Sequence, residues 1–299
     1  MDMKAWGTFS AFESLAQSAH TDEIHNWRIY FDPWRNQFVP IVWDSMGWHG
    51  NLRGARLKNE VIANSLIRAL FNNGDFIRAR SEALRSFFTS GKDQTFLGIV
   101  SKAVGTMGHE IDTDPYLKPA KPDLVKHNMR KLEGVIQGVL AEKGDVFLEN
   151  DPRLSFVIAS AHFDQQSLGL MVRGKHPVNV LRLNLSGTIK TRPQVWVSYQ
   201  SPAREEEVNL PVTVSNAGTS LVIRGGFLPN LTVSVGDRHQ GSLESAPGVY
   251  QIALEGLPAD VTILSAEVNR GDGWIPAQPV DSITPTVFSQ LYAPVAVDS

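Results

Sequence analysis

The chain has 299 residues, 42 % of them hydrophobic and 20 % charged, with 28 Lys plus Arg against 31 Asp plus Glu for a formal net charge of −3. That length suits two domains of roughly 100–200 residues each, the composition excludes a disordered or fibrous chain, and the near-neutral balance argues against a nucleic-acid binder or a polybasic membrane arm. Cysteine is absent, which excludes disulfide scaffolds, thiolate zinc sites and cysteine nucleophiles.

No apolar run reaches the roughly 20 residues of a membrane span. The first helix carries Glu13 and lacks the basic, apolar, small-residue progression of a signal peptide. Absence of cysteine leaves the compartment open, with an extracytoplasmic or cell-surface setting favoured.

The first helix is expected over Met3–Ala19, where Trp6, Phe9, Phe12, Leu15, Ala16 and Ala19 recur at spacings of three and four. Two extended runs, Trp27–Phe31 and Phe38–Trp43, flank the turn-forming stretch Asp32-Pro33-Trp34-Arg35-Asn36 and predict a β-hairpin at about 27–43. Helices are expected over Asn59–Phe71, Phe76–Phe88, Thr95–Met107 and Asp123–Ala141. In the last of these, Leu124, Val125, Met129, Leu132, Val135, Ile136, Val139 and Leu140 make one apolar face, and Gly144 suits the stop. The stretch Gly144–Pro152 reads as the boundary between a first domain, 1–147, and a second, 152–299.

After it come alternating, β-branched runs near Leu154–Ala159, Gly169–Arg173, Val178–Leu185, Gln194–Tyr199, Val208–Val214, Ser220–Ile223, Leu231–Val235, Val249–Leu254 and Thr262–Val268. Many short strands separated by turns such as Asn216-Ala217-Gly218 predict an immunoglobulin-like β-sandwich. The fold class expected is therefore α+β, with a helix-rich first half and an all-β second half. Trp196 and Tyr199, three apart on a strand, face opposite sides and share no aromatic platform.

Groups with catalytic potential crowd into positions 20 to 50. Three of the eight histidines (His20, His25, His49) and four of the seven tryptophans (Trp27, Trp34, Trp43, Trp48) lie there, with Asp22, Glu23, Asn26, Asp32 and Asp44. A helix–loop–hairpin–loop order brings the two loops to one end of the hairpin, so that Asp22, Asn26 and Asp44 can converge. Two carboxylates and an amide oxygen suit phosphoryl transfer, which needs a carboxylate near the attacking hydroxyl and divalent cations on hard oxygen ligands. A rival grouping of His20, Asp22, His25, Asp44 and His49 would read as a metal-dependent hydrolase, but its spacing fits no zinc signature. Trp27 and Trp43 are expected to pack the hairpin on the first helix, Trp34 to lie exposed at the turn.

The segment Asn26-Trp27-Arg28-Ile29-Tyr30, the Asp-Pro turn, Val39-Pro40-Ile41-Val42-Trp43-Asp44 and Gly50 together resemble the spore-coat H (CotH) kinase family, a bacterial branch of the protein-kinase-like fold. The resemblance covers about residues 4 to 90 and its sharp part about 25 of them. It implies a kinase-like C-lobe over 1–147, with Asp22 as the catalytic-loop Asp, Asn26 as the loop Asn that helps bind metal, and Asp44 as the metal-binding Asp. It further implies ATP as co-substrate, magnesium as cofactor and a protein Ser or Thr, or another hydroxyl, as acceptor. Family members commonly carry a second acid two positions after the Asp44 equivalent, where Met46 stands here. The nucleotide-clasping N-terminal lobe would precede the first helix, so the chain reads as a fragment or truncated form with weak or no transfer activity alone. The other class of function it could serve is a surface-associated binding module, with a degenerate kinase-like lobe and a sandwich that holds a partner or glycan.

Overall fold

A computed structural model of the chain describes residues 1–18, 20–21, 26–45, 47–48, 60–114, 116, 122–148, 157–164, 166–174, 177–201, 204–229, 232–235, 242–245, 248–269 and 273–283. Among these the chain is mixed α+β, with five α-helices and several sheets. Asp22, His25, Met46, His49 and Gly50 lie outside the described residues. The chain divides into two compact units. One comprises 1–64, 80–152 and 234–243, the other 65–79, 153–233 and 244–299.

In the first unit, helix α1 (Met3–Ala16) opens with Asp2, whose side chain accepts from the Ala5 amide, and stops at Gln17, which adopts the left-handed conformation at φ 55°. The expected extension to Ala19 therefore does not occur. The helix is followed by the antiparallel hairpin β1 (Arg28–Asp32) and β2 (Gln37–Ile41), in register Tyr30 with Val39. Asp32 Oδ1 accepts from the Trp34 and Arg35 amides at 2.9 and 3.2 Å, which fixes the turn. Strand β3 (Glu60–Ile62) is next. The spacing predicts a helix over Asn59–Phe71, but the Val-Ile pair sits fully sequestered in extended form and only Ser65–Phe71, which belongs to the second unit, is helical, as α2.

Helix α3 (Gly74–Thr89) begins two residues before the expected Phe76. Asn73 Oδ1 accepts from the Asp75 and Phe76 amides at 2.9 and 3.1 Å and so acts as the cap. Helices α4 (Lys92–Thr113) and α5 (Pro122–Phe147) are both longer than the sequence indicated. Gly144 does not end α5. A Cβ there would come 3.3 Å from the Phe88 ring, so the bare position admits that ring and the helix runs on to Phe147, which stacks on Phe88. The apolar face of α5 is only half used: Ile136, Val139 and Leu140 are buried, whereas Leu124 and Val125 are exposed.

The second unit holds two mainly antiparallel sheets. The strands are β4 (Val157–Phe163), β5 (Ser167–Gly174), β6 (Val178–Leu185), β7 (Gln194–Ser201), β8 (Arg204–Asn209), β9 (Val212–Ser215), β10 (Ser220–Phe227), β13 (Val249–Glu255), β14 (Ile263–Asn269), β15 (Trp274–Pro276) and β16 (Gln278–Pro279). Between β10 and β13 the chain forms β11 (Thr232–Val235) and β12 (Ser242–Ser245). One sheet runs β15-β14-β6-β10-β9, the other β16-β4-β5-β13-β7-β8.

The inward residues of both sheets build one apolar cluster. Leu181, Leu183, Leu221, Ile223 and Val268 come from the first sheet, and Leu170, Val172, Val195, Tyr250 and Ile252 from the second. In β6 these leucines alternate with half-buried Val180, Arg182 and Asn184. The Tyr250 hydroxyl, inside this core, donates to the Leu228 carbonyl at 2.8 Å. The run expected as one strand over Val208–Val214 is two strands, split at Leu210-Pro211, because proline has no amide to continue a ladder.

Gly226 sets a tight approach in this unit. A Cβ there would stand 1.6 Å from the Phe71 carbonyl oxygen, whose neighbour Asn72 accepts from the Gly226 amide at 3.2 Å. Gly226→Ala should therefore destabilise the β-rich unit by several kcal/mol, toward the upper end of point-mutant effects. A denaturant midpoint unchanged from wild type would show that α2 is not seated on β10 in this way.

Candidate functional site

The site is built at the C-terminal end of α1. A helix leaves its last four carbonyls without intrahelical donors, and here all four are taken. The Glu13 carbonyl accepts from the Gln17 and Ser18 amides. Ser14 O accepts from Gln17 Nε2 at 2.7 Å. Leu15 O accepts from Trp48 Nε1, and Ala16 O from the Trp48 amide, both at 2.8 Å.

Trp48 therefore ties the segment after the hairpin to the end of the first helix, and its ring lies 6.1 Å from that of Phe96. Gly47 is needed for the approach: a Cβ there would fall 2.6 Å from Ala16 O. At the other end of the ribbon, Trp6 Nε1 donates to the Phe38 carbonyl at 2.9 Å, which anchors β2 along α1.

These anchors bring both ends of the hairpin toward His20. Asn26 Nδ2 lies 2.7 Å from His20 Nε2, and the same nitrogen is 3.7 Å from Asp44 Oδ2. An amide nitrogen can only donate, so where the ring is neutral Nε2 accepts from it. The His20 side chain is 17 % exposed and that of Asp44 59 %. Asp44 also holds φ at 46°, a left-handed conformation that costs a non-glycine residue on the order of 1 kcal/mol or more and gathers at functional positions. Of the three residues expected to converge, Asn26 and Asp44 are thus brought to one histidine, and Asp22 lies outside the described residues.

Asn26 uses its nitrogen on His20, which leaves its amide oxygen for another partner, and the Asp44 carboxylate is open to solvent. One carboxylate and one amide oxygen form a hard donor set that suits magnesium shared with phosphate oxygens. Among the described residues no group of three or more His, Asp or Glu could hold a metal ion, so a cation there would depend on substrate oxygens or on water for most of its shell. His25 and His49 of the rival hydrolase grouping lie outside the described residues.

Around the site the ribbon is unusually apolar and open. Ile29, Tyr30, Phe31, Phe38, Ile41, Val42 and Trp43 are exposed, and Trp34 at the turn is 95 % exposed as expected. Trp43, expected to pack the hairpin on α1, is not buried there. It is 52 % exposed, with the Arg28 guanidinium 5.7 Å from its ring centre. Trp27 is half-buried.

Sequence reasoning missed what lies beneath. Glu13, Ser14, Gln17, Thr21, Glu60, Asn64 and Arg80 are all buried polar residues. Arg80 pairs with Glu60 and donates to Ser14 Oγ at 2.7 Å. The Thr21 hydroxyl donates to Glu13 Oε1, and Asn64 Nδ2 donates to the Thr21 carbonyl at 3.0 Å. Burial pushes the Glu13 carboxyl up to about 8, against the opposing pull of the Thr21 hydroxyl and the Arg80 charge. A glutamate set among the apolar residues near the C-terminal end of the first helix was the available signal.

No protein-family model, curated protein or solved structure matches the chain. Among the described residues no helix is long and apolar enough to cross a membrane.

Proposed function

We propose that the first unit is the C-lobe portion of a CotH-like atypical protein kinase, that the second is an immunoglobulin-like sandwich, and that the site at His20 transfers the γ-phosphoryl group of ATP to a hydroxyl. The observation that carries this reading is the approach of both Asn26 and Asp44 to one histidine nitrogen. Asn26 and Asp44 would hold magnesium, which supplies charge neutralisation across the phosphates. Asp22 would orient the acceptor, a protein Ser or Thr, and take its proton as the new oxygen–phosphorus bond forms and the bond to ADP breaks. His20 would hold the Asn26 amide nitrogen and leave the amide oxygen for the cation. A nucleotide-clasping lobe is the partner this arrangement calls for, and without it transfer is weak or absent.

A second reading, a surface-associated binding module with a degenerate kinase-like lobe, is favoured by the open apolar ribbon and by Met46 in place of a second acid. Thermal unfolding separates the two. With ATP and magnesium together, the wild type should gain a few degrees and Asp44→Ala none, since a ligand that binds only the folded state stabilises it by mass action. No shift in either protein would favour the binding module.

A further inference from the structure

The buried group beneath the site has no role in phosphoryl transfer as described, yet it reaches the site through a single residue. Glu13 meets the chain leaving α1 twice. Its backbone carbonyl accepts from the Gln17 and Ser18 amides and so ends the helix. Its side chain then receives the Thr21 hydroxyl eight residues on. The Thr21 carbonyl is held from the other side by Asn64. Thr21 is itself buried and is the chain neighbour of His20, the residue that meets both Asn26 and Asp44. Thr21 is thereby held at two points of the protein interior, one on α1 and one just after β3.

Glu60 pairs with Arg80, whose charge also reaches Glu13, while the Glu13 carboxyl itself receives the Thr21 hydroxyl and its second oxygen has no hydrogen-bond partner among the described residues. We propose that Glu13 is a positioning residue, which through Thr21 sets His20 and hence the spacing of Asn26 and Asp44. The inference rests on reading those three residues as the site, and two readouts keep the claims apart.

Amide hydrogen exchange tests the latch. Thr21→Val removes the hydroxyl at nearly constant volume, and the His20, Asn26 and Trp27 amides should then exchange at least tenfold faster, with Ile77 and Leu84 in α3 unchanged. Thr21→Ser, which restores the hydroxyl, should restore slow exchange. Binding of Mn²⁺ in the presence of ATP tests the site: wild type should bind, and Thr21→Val should bind several-fold more weakly.

A second variant covers the case in which Thr21→Val fails to fold. Glu13→Ala removes the acceptor and keeps the hydroxyl, and exchange at His20 and Asn26 should rise in it and stay slow in Glu13→Gln, whose amide still offers Thr21 an acceptor. Unchanged exchange at His20 and Asn26 in folded Thr21→Val, or in folded Glu13→Ala, would overturn the latch. Faster exchange in a protein that binds no Mn²⁺ would uphold the latch and remove the metal reading.

Discussion

Arg80→Ala should cost the first unit about 3–5 kcal/mol, the largest loss expected from any one side chain outside the apolar core. The guanidinium is almost wholly buried, with the Glu60 carboxylate and the Ser14 hydroxyl as partners. Truncation leaves the Glu60 carboxylate buried without the Arg80 guanidinium. Replacing both members of the pair removes that penalty: Arg80→Met with Glu60→Leu should recover most of the loss, since apolar residues of similar volume often match a buried ion pair. Denaturant unfolding of the two single variants and the double variant measures this. If the double variant is no more stable than the sum of the singles, the pair is not coupled as the geometry indicates.

Glu13 should make stability fall as the pH rises. Its carboxyl is raised from 4.5 to about 8 in the folded chain, mainly by burial. Between those values the folded state holds a proton that the unfolded state has released. The contribution is fully present below pH 4.5, is eroded at roughly 1.4 kcal/mol per unit at most, and is gone once the pH passes 8. The sign is opposite to that of a salt-bridged carboxylate. Glu13→Gln should flatten this slope and leave the variant relatively more stable at pH 9 than at pH 5. A wild-type stability that climbs between pH 5 and 8, with no change of slope in Glu13→Gln, would mean that Glu13 is ionised in the fold.

Much of the second unit was legible because sheet burial leaves a period of two. Strand β6 was placed at Val178–Leu185 to the residue, since Leu181, Leu183 and Leu185 alternate with Arg182 and Asn184. The hairpin was legible from turn chemistry, Asp32-Pro33 followed by Asn36 in the left-handed conformation. What failed was punctuation set by distant partners. Gly144 looks like a stop in sequence and is a seat for Phe88 in space. Val61 and Ile62 fit a helix stripe as well as a strand, and only burial on both sides decides for the strand. The short strands β12, β15 and β16 carry too few residues to show any period.

The site was partly legible. Asn26 and Asp44 stood out as hard oxygen donors in a polar cluster, and the order of elements predicted their approach. His20 was noticed only as one of three histidines. Its part, between the amide and the carboxylate, depends on where the end of α1 directs the chain, and that is decided by four capped carbonyls and by Gly47. The polar interior at Glu13, Thr21, Asn64 and Arg80 gathers residues up to 67 positions apart, a pattern no local window displays. The apolar ribbon misled in the opposite sense, since Trp43 reads as core and lies largely in solvent.

As proposed above, Asn26 and Asp44, arranged about His20, take a hard divalent cation together with nucleotide phosphate. Paramagnetic broadening by substoichiometric Mn²⁺ with ATP tests it most directly. The side-chain signals of Asn26 and His20 should broaden first and together, and Asp44→Ala should abolish the effect. Broadening that begins instead at the exposed carboxylates of Asp112 and Asp123, with Asn26 and His20 untouched at saturation, would contradict the account.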